Sequence, residues 1–406
     1  MESEFLKGRD IILFSLKPWD IEIGSSSRQY ARVFAKNNNR VLFVNRALDR
    51  ASILKFRNDP KIKKRLDSYH NKHRSMQQAE PNIWVLDPPV ILESINKIPI
   101  PFLFDWLNRI NNRRLARQIN QSASRLGFSN IILYIENDFI RSFYLKEMIK
   151  GLSATIYYIR DYLPSQDYFK MHGKRLEPRL IQKADLVTAN STYLTNYAKK
   201  FNPRSFFVGQ GCDIGLFSGE KKARPEDMQA IGSPIIGYTG ALLTTRLDID
   251  LIRGIAIGRK NWSIVLVGPE DEAFIASDLH QFPNIYFLGR KNLSELPDYI
   301  AQFDVCINPQ LVNEMTQGNY PLKIDEYLAM GKPVAATRTE AMEMFGDYVK
   351  LGDNLEEYLL NIEELLVNGQ EPELVGKRKA FARTHTWENC FARMDRELAK
   401  AKKISL

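Results

Sequence analysis

Short apolar runs alternate with helical stretches along almost the whole chain, and this alternation restricts the possible folds more than any other feature. Strands that alternate with helices predict parallel sheets of the doubly wound type. We therefore predict an α/β protein. Strands are predicted at 10–16, 40–46, 82–89, 130–136, 154–161, 184–190 and 204–211, and again at 234–242, 262–270, 284–290, 303–310, 332–337 and 347–353.

The alternation breaks once, at the polar segment DIGLFSGEKKARPEDMQAIGSP, which occupies residues 213–234. We interpret this segment as the linker region between two domains, because 406 residues are also too many for one compact core. The prediction is a Rossmann-like domain over 1–212 and a second one over 213–385, followed by a basic amphipathic helix in 386–406. Two such domains facing each other leave a cleft at the carboxyl ends of their strands, where small ligands bind.

The amino-acid composition restricts the cellular compartment and the classes of binding partner that we expect. The net charge of +9 favours anionic partners, but the Lys and Arg residues are dispersed and form no recognised nucleic-acid module. Three scattered cysteines exclude a disulfide framework and fit a reducing compartment. The first ten residues lack an apolar signal-peptide core, and the apolar run IPIPFLF at 98–104 is broken by prolines. We expect a cytoplasmic protein that binds no nucleic acid.

The stretch NYPLKIDEYLAMGKPVAAT, residues 319–337, places charges at the start of a helix that follows a buried strand. Backbone N–H groups at such a helix start bind anions, and Lys323 adds a charge suited to a diphosphate. Glu326 lies on the same face and could accept hydrogen bonds from both hydroxyls of a ribose. A surface ion pair between Lys323 and Glu326 explains the same residues. The stretch alone does not decide between an anion-binding site and such an ion pair. The predicted donor contacts here are Asn319, Tyr320, Pro321, Leu322, Lys323 and Glu326.

The stretch GYTGALLTTRLDID, residues 237–250, forms the first strand-to-helix turn of the second domain. Gly240 lets the backbone approach a ligand closely, and Arg246 can reach a phosphate. The D-x-D sequence at 248–250 could suggest a metal site. We reject that interpretation, because acidic residues at a helix start simply suit the helix dipole. No metal site is predicted.

Two segments of the first domain are candidates for further contacts. The loop after the first strand could hold an acceptor or the donor phosphates through Gly24, Ser25, Ser26 and Arg28, or it is a plain connection with a serine cap. Residues 94–118 place apolar residues before a basic helix, which could seat on an anionic membrane. Packing of this segment into its own domain is the slightly favoured alternative. The histidines, which pair with no serine or cysteine, are expected to be surface or structural residues: His70, His73, His172, His280 and His385.

A family resemblance emerges from these segments together. PLKIDEYLAMGKPVAAT, preceded by DVCINPQLVNEMTQGNY, resembles the nucleotide-sugar site of family 4 glycosyltransferases with the GT-B fold. It is most similar to the bacterial subgroup of teichuronic-acid and polysaccharide biosynthesis enzymes. Further segments occur in family-like order over nearly the whole chain: YYIRDY (157–162), EPRLIQKADLVTANS (177–191), VGQGCDIGLF (208–217), IIGYTGAL (235–242) and THTWENCFARM (384–394).

The resemblance implies a donor bound by the C-terminal domain, an acceptor bound by the N-terminal domain, and a last helix that crosses back to the latter. Glu326 matches the second glutamate of the family's E-x7-E motif, which binds the donor ribose. Lys323 matches the lysine of the subgroup's P-L-K pattern, and Arg246 stands where the family has a phosphate-binding lysine. The turns at Gly268 and Arg290 match segments that border the nucleobase.

The sequence also departs from the family pattern at three places. Gly318 replaces the first glutamate of E-x7-E, and Ala241 replaces a basic residue that usually follows the glycine. The family's N-terminal histidine is absent where IENDF stands at 135–139. These departures motivate one alternative, a catalytically degenerate scaffold subunit that binds a partner. A GT-B nucleotide-sugar epimerase is a second alternative.

The resulting expectation is a retaining, metal-independent glycosyltransferase that takes a UDP or GDP sugar as donor substrate and needs no other cofactor. Arg246 and Lys323 would stabilise the departing diphosphate. Asp161 and Glu136 are the candidate acceptor contacts. The acceptor would be a glycan or a polyprenyl-linked glycan of a bacterial surface polysaccharide. The enzyme would act in the cytoplasm, with peripheral contact at the inner face of the plasma membrane as an open alternative.

Overall fold

The computed structural model describes residues 5–21, 25–217 and 223–403, and it divides into two compact units. The N-terminal unit comprises Met1–Gly209 together with Cys390–Leu406, and the C-terminal unit comprises Gln210–Asn389. The predicted divisions, after residues 212 and 385, fall within a few residues of these boundaries.

The N-terminal unit is built on an eight-stranded sheet in the order β10-β9-β8-β7-β1-β2-β5-β4. All neighbouring strands are parallel except β4, which pairs antiparallel with β5 at the edge. Each strand predicted in this half is present. The strands, including a separate two-residue pair β3–β6, are β1 Asp10–Ser15, β2 Arg40–Val44, β3 Leu48–Asp49, β4 Met76–Glu80, β5 Ile83–Leu86, β6 Ile91–Leu92, β7 Ile131–Glu136, β8 Leu152–Ile159, β9 Leu186–Ala189 and β10 Ser205–Phe207.

Helices follow the strands of this unit in turn, as a parallel sheet requires. Most of the central strand residues are fully buried, because helices cover both faces of such a sheet. The helices of this part of the chain are α1 Ser26–Lys36, α2 Arg50–Lys55, α3 Pro60–His70, α4 Pro101–Arg125, α5 Leu145–Met148, α6 Asp167–Lys183 and α7 Thr192–Lys199.

The C-terminal unit contains a six-stranded parallel sheet in the order β13-β12-β11-β14-β15-β16. Each strand predicted in this half is present as well. The order reverses between β11 and β14, which are neighbours although two strands separate them in sequence. In doubly wound sheets this switch point is where ligands bind. The strands are β11 Ile235–Thr239, β12 Ser263–Val267, β13 Ile285–Phe287, β14 Val305–Asn308, β15 Val334–Thr337 and β16 Lys350–Gly352.

The helices of the C-terminal unit pack on both faces of this sheet, in two buried clusters of apolar side chains. The last helix, α15, begins in this unit, and its later residues belong to the N-terminal unit, where Phe391 packs on Phe34. The helices are α8 Ile214–Phe217, α9 Ile249–Gly258, α10 Glu272–Ile275, α11 Leu296–Gln302, α12 Leu322–Ala329, α13 Leu355–Asn368, α14 Pro372–Ala382 and α15 Trp387–Lys403.

The segment 213–234, interpreted from the sequence as a linker region, is largely part of the C-terminal unit. Phe217, Met228 and Ile231 are buried in that unit's core. The composition of the segment is polar, but three well-spaced apolar side chains are enough to anchor it. Residues 218–222 lie outside the described residues.

Candidate functional site

The predicted donor residues all lie in the C-terminal unit, in the segments that follow the carboxyl ends of four neighbouring strands. Gly240 follows β11, Gly268 follows β12 and Arg290 lies beyond β13. Residues 319–323 lead from the loop after β14 into α12. Because parallel strands present their carboxyl ends at one edge, this edge gathers the whole predicted set.

Gly240 and Gly268 allow two of these turns to approach unusually closely. Gly240 has φ +136°, in the region that favours glycine, and its N–H donates to the Val267 carbonyl at 2.9 Å. A Cβ placed on Gly268 would lie 1.8 Å from the Gly240 carbonyl oxygen. The Leu242 N–H donates to the Pro269 carbonyl at 2.8 Å and continues the contact. Gly268 is therefore required by close backbone packing, and Gly240 is favoured by its positive φ.

Lys323 reaches from the first turn of α12 to the Gly240 turn. Its ammonium lies 4.7 Å from the centre of the Tyr238 ring. A Cβ placed on Gly240 would lie 3.1 Å from the Lys323 Cε. Within the described chain, Lys323 forms no salt bridge with Glu326, so the interpretation of the two as a surface ion pair is not supported.

Glu326 lies one turn into α12 and is half-buried. Burial raises the pKa of its carboxyl to about 7; the nearby Lys323 lowers it and Asp325 raises it further. The carboxylate accepts no hydrogen bond from any residue that the structure describes. A carboxylate can accept from several donors at once, so this side chain retains the capacity to bind two neighbouring hydroxyls.

The Arg246 loop is fixed by backbone contacts to the loop that follows β14. The Leu311 N–H donates to the Arg246 carbonyl at 2.8 Å, and the Asn313 Nδ2 donates to the Thr245 carbonyl at 3.2 Å. The Arg246 side chain is half-buried, and over the described ranges its guanidinium has no carboxylate partner. Its backbone is thus held rigidly while its charge stays available.

A buried polar cluster that sequence reasoning missed holds α12 in place. Asp325 accepts a hydrogen bond from the Tyr320 hydroxyl and pairs with the His385 Nδ1, each at 2.6 Å. Burial raises the pKa of Asp325, and the bonds from His385 and Tyr320 act in the opposite direction. The Tyr327 hydroxyl accepts from the Thr239 N–H at 2.8 Å and ties the helix to β11. Tyr320, predicted as a donor contact, is thus committed through its side chain to Asp325.

The acidic residues at 248–250 act as the helix-start interpretation predicts. Asp248 caps α9 by accepting from the Leu251 N–H at 2.9 Å, and Asp250 is exposed and paired with Arg253. Among the residues that the structure describes, no group of three or more His, Cys, Asp or Glu side chains is arranged to hold a metal ion.

The candidate acceptor residues of the N-terminal unit are joined by Arg160, which the sequence analysis did not single out. The Arg160 guanidinium lies 3.6 Å from a Glu136 oxygen and 3.0 Å from an Asp161 oxygen, and it reaches the Ser26 hydroxyl at 3.4 Å. Burial lowers the pKa of Arg160, but Asp161 and Glu136 outweigh this, so its pKa lies above the usual value. The Ser15 hydroxyl donates to the second Glu136 oxygen at 2.8 Å.

Of the residues predicted in this segment, Ser25 precedes α1 and Arg28 lies in the first turn of that helix. Ser25 is at the N-cap position, but its hydroxyl contacts the Ser27 hydroxyl at 2.8 Å and does not cap the helix. Arg28 donates to the Trp19 and Ile21 carbonyls, and its pKa is lowered by burial and by Arg32. Gly24 lies outside the described residues.

The C-terminal unit is similar to known glycosyltransferase sequences. Residues 233–368 match the family model "Glycosyl transferases group 1". A curated relative, described as the putative teichuronic acid biosynthesis glycosyltransferase TuaH of Bacillus subtilis (strain 168), is 29% identical over 234 residues. The match spans 54% of this chain and 58% of the relative, so little more than half of that protein's length is covered.

Comparison with solved structures extends over both units. Sucrose-phosphate synthase from Thermosynechococcus elongatus matches with a TM-score of 0.70 and 15% identity, over 98% of this chain and all of that one. Anabaena HepE, solved in complex with UDP, matches with a TM-score of 0.62 and 17% identity over the same shares. None of the described helices has the length and apolar character needed to span a membrane. The matches confirm the resemblance and fold class predicted from the sequence: residues 233–368 match the glycosyltransferase group 1 family model, and the chain has the GT-B fold.

Proposed function

We propose that this protein transfers a sugar from a nucleotide-diphosphate sugar to a glycan or lipid-linked acceptor in the synthesis of a bacterial surface polysaccharide. The observation that carries the proposal is the position of Lys323 beside the Gly240 turn, with Glu326 one turn further along α12. A cation and a carboxylate acceptor placed in this way match the two polar parts of a nucleoside diphosphate.

The diphosphate would lie between the Gly240 turn and the start of α12. Lys323 and Arg246 supply full positive charges, and the backbone N–H groups at the start of α12 add the positive end of its dipole. Neither side chain is neutralised by a carboxylate within the described ranges. The ribose hydroxyls would donate to Glu326, and the turns at Gly268 and Arg290 would border the base.

The proposed reaction retains the configuration at the transferred carbon. The bond from the sugar carbon to the diphosphate oxygen breaks, and the acceptor oxygen bonds to the same face of that carbon. The acceptor proton passes to an oxygen of the leaving diphosphate. Negative charge grows on the diphosphate as the bond breaks, so Lys323 and Arg246 stabilise the transition state without requiring a metal ion.

We assign acceptor binding to the N-terminal unit, around Glu136, Asp161 and Ser26. Arg160 holds the two carboxylates at fixed positions through its ion pairs. Asp161, whose side chain is 19% exposed, is suited to hydrogen-bond the hydroxyls of a glycan, whereas Glu136 is almost completely buried and serves to hold Arg160. The match to a protein described as a teichuronic acid biosynthesis glycosyltransferase supports a polysaccharide acceptor, free or carried on a polyprenyl lipid at the inner face of the plasma membrane.

A thermal-shift screen of nucleotide sugars tests the proposal, because a ligand that binds only the folded state raises the melting temperature. UDP sugars come first, since a structural relative was solved with UDP and with UDP-glucose. A stabilising donor is then incubated with and without glycan acceptors, and the products are analysed. Sugar transfer supports the proposal. A donor epimerised without acceptor identifies an epimerase, and the absence of any stabilising nucleotide identifies a scaffold subunit.

A further inference from the structure

The beginning of α4 carries large apolar side chains that no other part of the described chain covers. Phe102 is 76% exposed and Trp106 is 60% exposed. Ile100, in the turn just before the helix, is also exposed. Soluble proteins rarely leave such residues together on the surface unless the patch binds something.

The same helix face continues as a row of arginines. Arg109, Arg113 and Arg117 are exposed and follow Phe102 and Trp106 at the spacing that places residues on one side of an α-helix. Asp105 is the only acidic residue between 97 and 125, and it is already paired with Arg175 and Arg179. The face therefore presents aromatic rings at one end and unopposed positive charge along the rest.

The opposite face of α4 packs into the core of the N-terminal unit, and this packing determines which side chains of the helix face outward. The Phe104 ring stacks on the His172 ring with 3.7 Å between centroids, and the His172 Nε2 lies 2.8 Å from the Ile98 carbonyl oxygen. Asn108 and Asn112 both donate to the Ile140 carbonyl. These contacts orient the helix so that Phe102 and Trp106 face outward.

We propose that this face, the α4 surface formed by Ile100, Phe102, Trp106, Arg109, Arg113 and Arg117, docks the protein on an anionic lipid bilayer. Aromatic side chains insert at the boundary between headgroups and acyl chains, and Trp is the residue most typical of that depth. The arginines then meet anionic headgroups, each adding electrostatic attraction. Charge complementarity and the aromatic end together favour a membrane over a protein partner.

A cavity beside the α4 surface connects membrane docking with the proposed transferase function. It measures about 620 Å³, and its lining includes Lys97, Tyr168 and Met171, of which Met171 is largely exposed. Asn96 donates to the Tyr168 carbonyl at 3.2 Å, which places this cavity next to the segment that leads into α4. If the chain is the proposed transferase, docking would bring the cavity to the surface where a lipid-linked acceptor resides.

Vesicle co-sedimentation of the full chain tests the docking proposal without donor or acceptor. We expect sedimentation with vesicles containing phosphatidylglycerol, little with phosphatidylcholine alone, and release by high salt. Phe102→Ser/Trp106→Ser should weaken binding about tenfold or more. Arg109→Gln/Arg113→Gln/Arg117→Gln should remove the preference for phosphatidylglycerol.

Matched controls come from the C-terminal unit. Leu360→Ser/Val367→Ser changes two apolar side chains of α13 that are 58% and 80% exposed. Lys260→Gln/Lys377→Gln/Arg383→Gln removes the same charge as the arginine variant from other exposed positions. Both controls should sediment like the unmodified protein, and Lys323→Ala should as well, which separates docking from the donor site.

Three results would overturn the proposal. The first is no sedimentation with anionic vesicles, and the second is equal loss in the patch variants and their controls. The third is a dimer in size-exclusion chromatography that Phe102→Ser/Trp106→Ser converts to a monomer while vesicle binding is unchanged, which would make the α4 surface a contact between copies. Since the side chains changed in the patch variants and in their two matched controls are exposed, thermal unfolding should be little affected and serves as the folding check.

Discussion

The two units present their charges differently at the carboxyl ends of their strands. In the N-terminal unit, Arg160 is engaged by Glu136 and Asp161, and Glu136 is almost completely buried. In the C-terminal unit, Lys323 and Arg246 have no carboxylate partner over the described ranges.

This difference separates charges that hold the protein together from charges that are kept for a ligand. A buried ion pair is destabilising to break, because the remaining charge is left without compensation. A cation without a partner contributes little to folding, but it can give its full interaction to a bound phosphate. Substitutions in the first region should therefore reduce stability, and those in the second should reduce activity.

The largest effect on stability is expected from Arg160→Ala. The substitution leaves the Glu136 carboxylate buried beside Asp161 without its cation and should cost about 3–5 kcal/mol in the free energy of unfolding. Urea denaturation at neutral pH measures it. The double variant Arg160→Met/Glu136→Gln removes both charges and should cost clearly less. Equal stability of Arg160→Ala and the unmodified protein would contradict the structural role.

The largest effect on activity is expected from Lys323→Ala and Arg246→Ala. Each removes a positive charge from the leaving diphosphate and should lower the transfer rate about a hundredfold or more. Neither side chain is ion-paired in the described chain, so the free energy of unfolding should change by about 0.5 kcal/mol or less. Lys350→Ala, which breaks an exposed pair with Glu364, is the matched control and should keep full activity. Normal turnover in both site variants would contradict the assignment.

Glu326→Gln should change stability and donor binding in opposite directions. Burial raises the pKa of Glu326 to about 7 in the folded protein, above its ordinary value of 4.5. The carboxyl is therefore protonated in both states below about pH 4.5. Its cost to the folded state grows as pH rises from 4.5 to about 7 and is complete above the folded pKa.

Consequently the glutamine variant should melt at a higher temperature than the unmodified protein at pH 8, and the gain should fade as pH drops from about 7 to 4.5. Its affinity for the donor should fall about tenfold, because an amide accepts hydrogen bonds from two hydroxyls less well than a carboxylate. Melting curves across this pH range, with and without UDP, measure both effects. A variant that loses stability at pH 8 would show that Glu326 has a structural role instead.

The smallest effect is expected from Asp250→Asn, which tests an exposed charge pair. Asp250 is paired with Arg253 at the surface, so its loss should change the free energy of unfolding by about 0.5 kcal/mol or less. Transfer activity should be unchanged, because the D-x-D sequence is interpreted as a helix start. If Asp250→Asn lost most of its activity, and if adding Mg²⁺ changed that loss, the metal-site interpretation would be supported instead.

The sequence was most informative where local pattern decides structure. The apolar runs predicted the strands of both sheets, and the predicted donor segments follow the carboxyl ends of neighbouring strands in the second sheet. The antiparallel edge strand β4 was missed because its sequence, MQQAE, is polar and largely exposed, so it has no apolar pattern. The segment 213–234 was interpreted as the linker region, but Phe217, Met228 and Ile231 are buried in the C-terminal unit. Three apolar residues at this spacing form no periodic signal.

Contacts between side chains that lie far apart in the sequence could not be predicted. His385 pairs with Asp325, although 60 positions separate them, and no local motif indicates that the two meet. Arg160 directly follows β8 and is adjacent to Asp161, which was predicted as an acceptor contact. The contact between Arg160 and Glu136, however, depends on the register between β7 and β8. Such contacts are created by the fold, so they become visible only once the strand order is known.

Calorimetric titration of the full chain with UDP and GDP tests most directly the central claim that the C-terminal unit binds a nucleoside diphosphate. We predict that at least one of the two binds, that Lys323→Ala weakens binding about tenfold or more, and that Lys350→Ala leaves it unchanged. No binding of either nucleotide, or equal binding by both lysine variants, would contradict the account.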